Sequence, residues 1–305
     1  SALDEDDINV KAGLVYRLKD DVEEISNIRL GYTGRFVDDS FKATEYNLTV
    51  EHASDFPSLD GFLLDDYYNR DNLSSGWFKI QKNVDKYTVT KNIHSAYAEA
   101  TYQFTSRWIV NLGLKYDYVD INVDYNVNRG GSEGSNTIRK DYFLPSLNLK
   151  YNLNEKHSLR LGASKTYTLP QAKEISPYRY VGVNFNSQGN PNLKPSDNYN
   201  FDLKWDFNPS PTELVSLTAF YKHIKDPISR IEVASAGGYL SYENISDRAT
   251  VAGVEVEIRK NLFVRPLSSA ANGMNKLSFG LNGSYIYTNA KMPLATVTTG
   301  SQLEG

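Results

Sequence analysis

The chain has 305 residues, a net charge of -4, no cysteine and only 2 methionines. Without cysteine it has neither disulfides nor thiolate metal sites, and the charge balance gives no electrostatic case for a nucleic-acid partner. Tyrosine is the outlier, with 22 Tyr beside 13 Phe and 3 Trp, and aromatics favour strands and places that are apolar at one end and wet at the other.

No apolar run approaches the roughly 18 residues of a transmembrane helix. A transmembrane β-barrel remains open, because lipid-facing and lumen-facing residues alternate and average out. The start, SALDEDDINV, lacks the basic and apolar regions of a signal peptide.

Alternation with a period of two dominates from the first strand onward. Val10, Ala12, Leu14, Tyr16 and Leu18 share one face, and Ile28, Leu30, Tyr32, Gly34 and Phe36 share another, opposite Arg29, Thr33 and Arg35. A segment of about 38–85 reads as a long connection, and its LDGFLLDDYYNRDN stretch lacks the spacing of a calcium loop. A long strand follows from about Tyr87 to Phe104.

After the short turn TSR, RWIVNLGLKYDY puts Trp108, Val110, Leu112, Leu114, Tyr116 and Tyr118 on one face, with Asn111, Gly113, Lys115 and Asp117 opposite. At about 3.3 Å per residue such a strand runs about 36 Å, which tilted near 45° covers about 25 Å, the apolar height of an outer-membrane barrel. Beyond Tyr118 the phase inverts: Val119, Ile121, Val123 and Tyr125 become the apolar set. A bulge would do this; the preferred reading is a strand that has left the membrane, because acids on a lipid-facing position are costly.

The segment 122–140 reads as a long loop, and its GGSEG, a match to a nucleophile pattern, sits between strands with no helix following. Strands continue over Phe143–Tyr151 and Leu159–Tyr167. The long loop 169–196 carries Tyr178, Arg179 and Tyr180, candidates for stacking and hydrogen bonding to a polar ligand. Within it, Gly189, Asn190, Pro191, Leu193 and Pro195 form an extended, non-helical lead-in. Tyr199, Phe201, Leu203, Trp205 and Phe207 then alternate with polar residues. Strands at Val215–Tyr221, Val254–Ile258 and Leu277–Tyr287 bring the count to about ten.

Short connections (105–107, 152–157, 208–213) alternate with long ones (122–140, 169–196, 226–243), while 261–275 is long for its side. Up-and-down outer-membrane barrels have this asymmetry, with short periplasmic turns and long extracellular loops. Trp108, Tyr116, Tyr118, Trp205 and Phe207 fit an aromatic girdle. Lys115, Asp117, Arg160, Asp202, Lys204, Glu255, Glu257 and Arg259 fall on the inward polar faces, where hydration or pairing accounts for them. His52, His94, His157 and His223 show no metal spacing, so no catalytic set, metal or cofactor is expected.

Several segments resemble TonB-dependent outer-membrane receptors, with a flavour of those from the Bacteroidota. GNPNLKPSDNYNFDLKW is similar to the family's G-N-P-x-L-x-P turn and strand. LRLGASKTYTLPQAKEISP, LTAFYKHIKDPIS, YENISDRATVAGVEVEIRKNL and HSAYAEATYQFTSRWIVNLGLKYDY resemble other family segments in order, with Lys115 where Arg is usual. The resemblance implies an all-β fold, a transmembrane antiparallel up-and-down β-barrel of 22 strands with an N-terminal plug. Residues 1–305 are read as an internal part of that barrel, with the plug outside this chain. It further implies TonB-dependent uptake of a scarce nutrient across the outer membrane of a Gram-negative bacterium. The implied partners are outer-membrane lipid, TonB acting through the plug, the transported ligand and a surface lipoprotein. A passive porin and a soluble carbohydrate-binding module are the alternatives.

Overall fold

The computed structural model describes residues 2–18, 25–50, 69–127, 132–181, 186–233, 239–266 and 274–290. Ten strands form one antiparallel sheet: β1 (Ala2–Arg17), β2 (Asn27–Val50), β3 (Phe78–Gln103), β4 (Trp108–Val127), β5 (Ser132–Asn152), β6 (His157–Thr168), β9 (Ser196–Phe207), β10 (Leu214–Lys225), β13 (Arg248–Pro266) and β14 (Met274–Ala290). Each pairs with its neighbours in chain order, the up-and-down arrangement of a barrel wall. Four shorter strands, β7 (Arg179–Val181), β8 (Asn186–Gln188), β11 (Ile228–Val233) and β12 (Tyr239–Asn244), make a second sheet in the order β11-β12-β8-β7.

The alternation seen in the sequence is the alternation of the wall. Leu30, Leu112, Leu114, Phe201 and Leu203 stand about half exposed on one face, with Leu112 at 55%. The other face carries polar residues in ion pairs: Lys115 with Asp117 (2.8 Å), Arg160 and Lys204 with Asp206 (both 3.5 Å), and Arg259 with Glu257 (2.6 Å). Most of these are neighbours two apart on one strand, which alternation places side by side. Gly31 on this face leaves room for the Tyr97 ring, which a Cβ there would strike.

Several connections read from the sequence as loops contain regular structure. Residues 122–127 and 132–140 continue β4 and β5 as a tall hairpin, with register unbroken from Trp108↔Tyr151 to Val127↔Ser132. Residues 38–50 and 78–85 extend β2 and β3 in the same way, and a helical turn, Arg70–Ser74, precedes β3. Long strands of Thr, Val, Tyr and Asn continue because each keeps a partner for its backbone groups. The segments 169–196 and 226–243 hold β7, β8, a helical turn at Ala172–Ile175, β11 and β12. On the opposite side, β13 and β14 extend to Pro266 and Met274 with one register shift between Asn261 and Phe263, so the 261–275 connection is shorter than the sequence reading.

The phase inversion on β4 has no bulge behind it. Both ladders of β4 stay in register through Tyr118 and Val119. The apolar set changes face because a second layer covers the inner face there. Val119, Ile121 and Val123 are buried together with Phe41, Tyr87, Val89, Tyr142, Ile175 and Leu193 in one hydrophobic core. Ile175 and Leu193 come from the segment between β6 and β9, so the core lies between the upper wall and a folded-in cap.

Candidate functional site

The cap is built from the two segments that follow β6 and β10. The helical turn Ala172–Ile175 starts with a capping box: Gln171 N–H donates to Glu174 Oε2 (2.8 Å). Ile175 drops fully buried into the core, and Tyr178 and Tyr180 follow it down onto the wall. The Phe41 ring stacks on Tyr87 (4.9 Å between centroids) and lies 4.8 Å from Tyr178 and 5.7 Å from Tyr180. The phenols of Tyr87 and Tyr180 are hydrogen-bonded at 2.8 Å. Burial pushes the Tyr87 phenol far above its ordinary range, and the bond to Tyr180 adds to this. Burial also raises Tyr180, against the opposing effect of the Tyr87 bond. Both therefore stay neutral at physiological pH.

The GNPNLKP segment joins the two halves of the cap. A Cβ on Gly189 would collide with the carbonyl oxygens of Ser176 and Lys173, so only glycine permits this approach. Asn190 N–H donates to Glu174 O (2.6 Å), its side chain donates to Tyr242 O (2.9 Å), and its Oδ1 accepts from Asn192 N–H (2.9 Å). Asn136 on β5 donates to the carbonyl of Pro191. Leu193 is in the core and Pro195 is buried. Asn244 at the end of β12 completes the clasp: its Oδ1 accepts from Lys194 N–H (2.9 Å), and its Nδ2 donates to Lys194 O (2.9 Å) and Asp226 O (2.8 Å). The parallel pairing of β12 with β8, through Tyr239↔Asn186 and Leu240↔Ser187, binds the segments into one sheet.

Of the ligand candidates, Tyr178 and Tyr180 lie together against the wall at 4.6 Å between ring centroids. Arg179 points to the cap sheet, its guanidinium 5.8 Å from the Tyr239 ring, and its buried Nε has no hydrogen-bond partner among the described residues. The aromatics of the outward face fall in two bands. Near the short turns, Trp108 lies 4.3 Å from Tyr151, and His157 stacks on Phe207 (4.4 Å) and Trp205 (5.7 Å). Toward the cap, Tyr116 lies 5.3 Å from Phe143 and donates to Asp141, and Tyr118 is half-buried. His94 bonds Tyr32 (2.7 Å) and His223 lies near Tyr199. His52, most of LDGFLLDDYYNRDN and Gly130–Gly131 of the GGSEG stretch lie outside the described residues.

Sequence reasoning missed Tyr87 on the wall and Ile175 and Asn244 in the cap as members of the site. Asn244 left one legible sign, an Asn that ends a short strand carrying Tyr239 and Tyr242. The other two belong to the site only through contacts with distant segments.

A wall of alternating strands, apolar outside and polar inside, with short turns at one end and a folded cap at the other, defines an outer-membrane β-barrel. The chain matches the model of the family "TonB dependent receptor-like, beta-barrel" over residues 2–305, and it belongs to that family. It is similar to the iron-regulated outer membrane virulence protein of Vibrio cholerae serotype O1, 32% identical over 91 residues, which covers 30% of this chain and 14% of that protein. It is also 28% identical over 170 residues to the probable TonB-dependent siderophore receptor PirA of Acinetobacter baumannii, covering 52% of this chain and 20% of that protein. Among solved structures, the copper transporter OprC superposes with a TM-score of 0.59 at 14% identity, covering 92% of this chain and 38% of the other. The ferric yersiniabactin uptake receptor FyuA from Yersinia pestis superposes with a TM-score of 0.55 at 15% identity, covering 94% and 35%. The match thus covers well under half the length of each of these four proteins. Its place is the outer membrane of a Gram-negative bacterium, and its family consists of receptors and transporters rather than enzymes.

Proposed function

We propose that this chain is the wall and extracellular cap of a TonB-dependent receptor that takes up a scarce nutrient, with an iron–siderophore complex as the leading substrate. The observation that carries the reading is the cap itself: two segments at the end opposite the short turns, folded over the inner wall and presenting Arg179 and a cluster of tyrosines. The relatives named for iron regulation and for siderophore and ferric-complex uptake favour iron among the nutrients such barrels carry. In this reading Tyr178, Arg179 and Tyr180 contact the ligand, and Gly189, Asn190, Pro191, Leu193 and Pro195 serve structure alone. Trp108, Tyr116, Tyr118, Trp205 and Phe207 form the girdle at the two membrane interfaces. A plug domain and the remaining strands of a 22-stranded barrel come from sequence beyond these 305 residues, and TonB acts through that plug. A surface lipoprotein is a further partner. The work is binding and translocation, without catalysis, cofactor or nucleic acid.

The test is uptake of a radiolabelled ferric siderophore panel by cells lacking the receptor and complemented with it, in tonB-positive and tonB-deficient backgrounds. Uptake restored only with TonB is the expected result. Uptake that persists without TonB would establish the passive porin instead.

A further inference from the structure

The inner wall near the short turns carries a row of cations. Lys150 on β5, Arg160 on β6 and Lys204 on β9 stand directly opposite one another, through the pairs Lys150↔Arg160 and Arg160↔Lys204. Alternation puts all three on the inward face, together with Asp206, two residues beyond Lys204. Like charges directly across a ladder repel. The carboxylate that answers them is Asp206, its side chain only 6% exposed, at 3.5 Å from both Arg160 and Lys204. Lys150 has no ion pair among the described residues, and Asp202, the next inward residue of β9, forms none either.

A polar hollow of about 1000 Å³ lies against this row at the level of the turns. Arg107, Lys150, Lys156 and Arg160 line it, and Glu155 and His157 are its other titratable residues. The two cations from the turns are held in place by their backbones. Asn152 N–H donates to Arg107 O (2.8 Å), Asn208 N–H donates to Lys156 O (2.8 Å), and Lys156 N–H donates to Asn154 Oδ1 (2.9 Å). Neither Arg107 nor Lys156 has an ion pair among the described residues. With Glu155 at the rim and Asp206 behind Arg160, the hollow keeps an excess of two positive charges. The acids of the neighbouring wall lie elsewhere. Glu255 and Glu257 line a separate hollow with Lys204, and Glu257 is bound to Arg259 (2.6 Å).

We propose that this hollow binds a multiply charged anion, one that carries two or more carboxylates or phosphates. A neutral sugar leaves the excess charge unanswered, and a cation is repelled by it. A single carboxylate answers one side chain, whereas four cations surround a space at the upper end of the range for small-molecule sites, about 300–1000 Å³. Arg160 offers a planar fork for two oxygens, and Lys150 and Lys156 offer point charges. The anion completes the row where Asp206 stops, because it takes up the charge on Lys150 that repels Arg160. Two sources share this chemistry. One is the transported ligand as it leaves past the short turns, which rests on the uptake reading above. The other is a free anion on the periplasmic side. The site itself rests on neither.

The test uses the full-length receptor, purified in a non-ionic detergent and titrated by calorimetry at low ionic strength with tricarballylate and with tripolyphosphate. Saturable binding is expected, weakened at least about tenfold in Lys150→Gln/Lys156→Gln through loss of two charge-assisted bonds. Lys150→Arg/Lys156→Arg, which keeps both charges, is expected to retain it. Acetate, with a single charge, is expected to bind far more weakly. No saturable binding of either polyanion, equal binding by Lys150→Gln/Lys156→Gln, or equal binding of acetate would each overturn the proposal. Uptake then separates the two sources. If the occupant is the cargo, cells carrying Lys150→Gln/Lys156→Gln bind a radiolabelled ferric chelate at their surface like the wild type but accumulate it severalfold more slowly. Lost polyanion binding with unchanged uptake assigns the site to a free anion. A wild-type receptor that takes up no ferric chelate would count against the uptake reading and leave the calorimetric result standing.

Discussion

The same strand, β4, has two different surroundings. From Trp108 to Tyr118 its apolar side chains point outward and are exposed or half-buried, and its inward residues are polar. From Val119 to Val127 its apolar side chains point inward and are buried, and its outward Asp120, Asn122 and Asp124 are polar. The backbone does not change between the two regions; what covers each face does. In the lower region no described residue covers the apolar face, and the wall is one layer thick. In the upper region the cap lies inside, so the wall becomes one half of a two-layer domain with a core of its own. The chain pays no bulge for this change, because a flip of the residue pattern suffices.

The largest effect that would break this contrast is at Gly189. Gly189→Val drives a side chain into two carbonyl oxygens and is expected to undock the cap at a cost above about 3 kcal/mol, beyond ordinary overpacking. Limited proteolysis would show new cleavage within 169–195 while the strands stay resistant. Next come two substitutions nine residues apart on β4. Ile121→Ala should cost the cap–wall contact about 2–5 kcal/mol, as for a fully buried side chain. Leu112→Lys should leave the cap intact and instead destabilise the barrel in a bilayer by about 2–4 kcal/mol. Hydrogen exchange on the cap and urea unfolding in liposomes separate the two, and a cap that responds equally to both would erase the distinction.

Asn244→Ala removes three hydrogen bonds of the clasp and should loosen the cap by about 1–3 kcal/mol, with exchange rising in both cap segments together. Exchange rising in only one segment would mean that the two halves move separately. Tyr87→Phe deletes one buried bond and should cost about 1 kcal/mol. The pH dependence of cap docking follows from the same pair. Both phenols are raised when the cap is docked, so docking is fully present below the ordinary tyrosine value of about 10 and weakens as pH climbs above it. Proteolysis of the cap as a function of alkaline pH reads this directly, and Tyr87→Phe should flatten the profile.

Much of the wall was legible because its information is local. The alternation of Tyr199, Phe201, Leu203, Trp205 and Phe207 needs no distant partner to be read, and neither do the short turns that separate such strands. The loops were read as too irregular. Thr137, Asn136 and Ser135 look like loop residues by composition, yet each lies in β5 opposite a residue of β4. The cap was hidden for a stronger reason. Tyr87 and Tyr180 are 93 positions apart, and Lys194 and Asn244 are 50 apart, so no window of sequence contains either pair. The structure of GNPNLKP shows the same limit: its extended course was readable, but the two segments it fastens together were not.

The sequence by itself determined the class of the molecule, the order of its wall strands and which face of each is apolar, because a period of two converts directly into two faces. It also determined where β4 changes face. The tertiary structure alone decided what lies against the new face, since burial of Val119, Ile121 and Val123 depends on Ile175 and Leu193 arriving from elsewhere in the chain. It alone decided the parting of β5 and β6 beyond Ser146↔Ser164 as well: Pro145 marks a missing donor, but whether a sheet closes over that gap or parts at it depends on where the neighbouring strand is drawn, and here β6 follows β9.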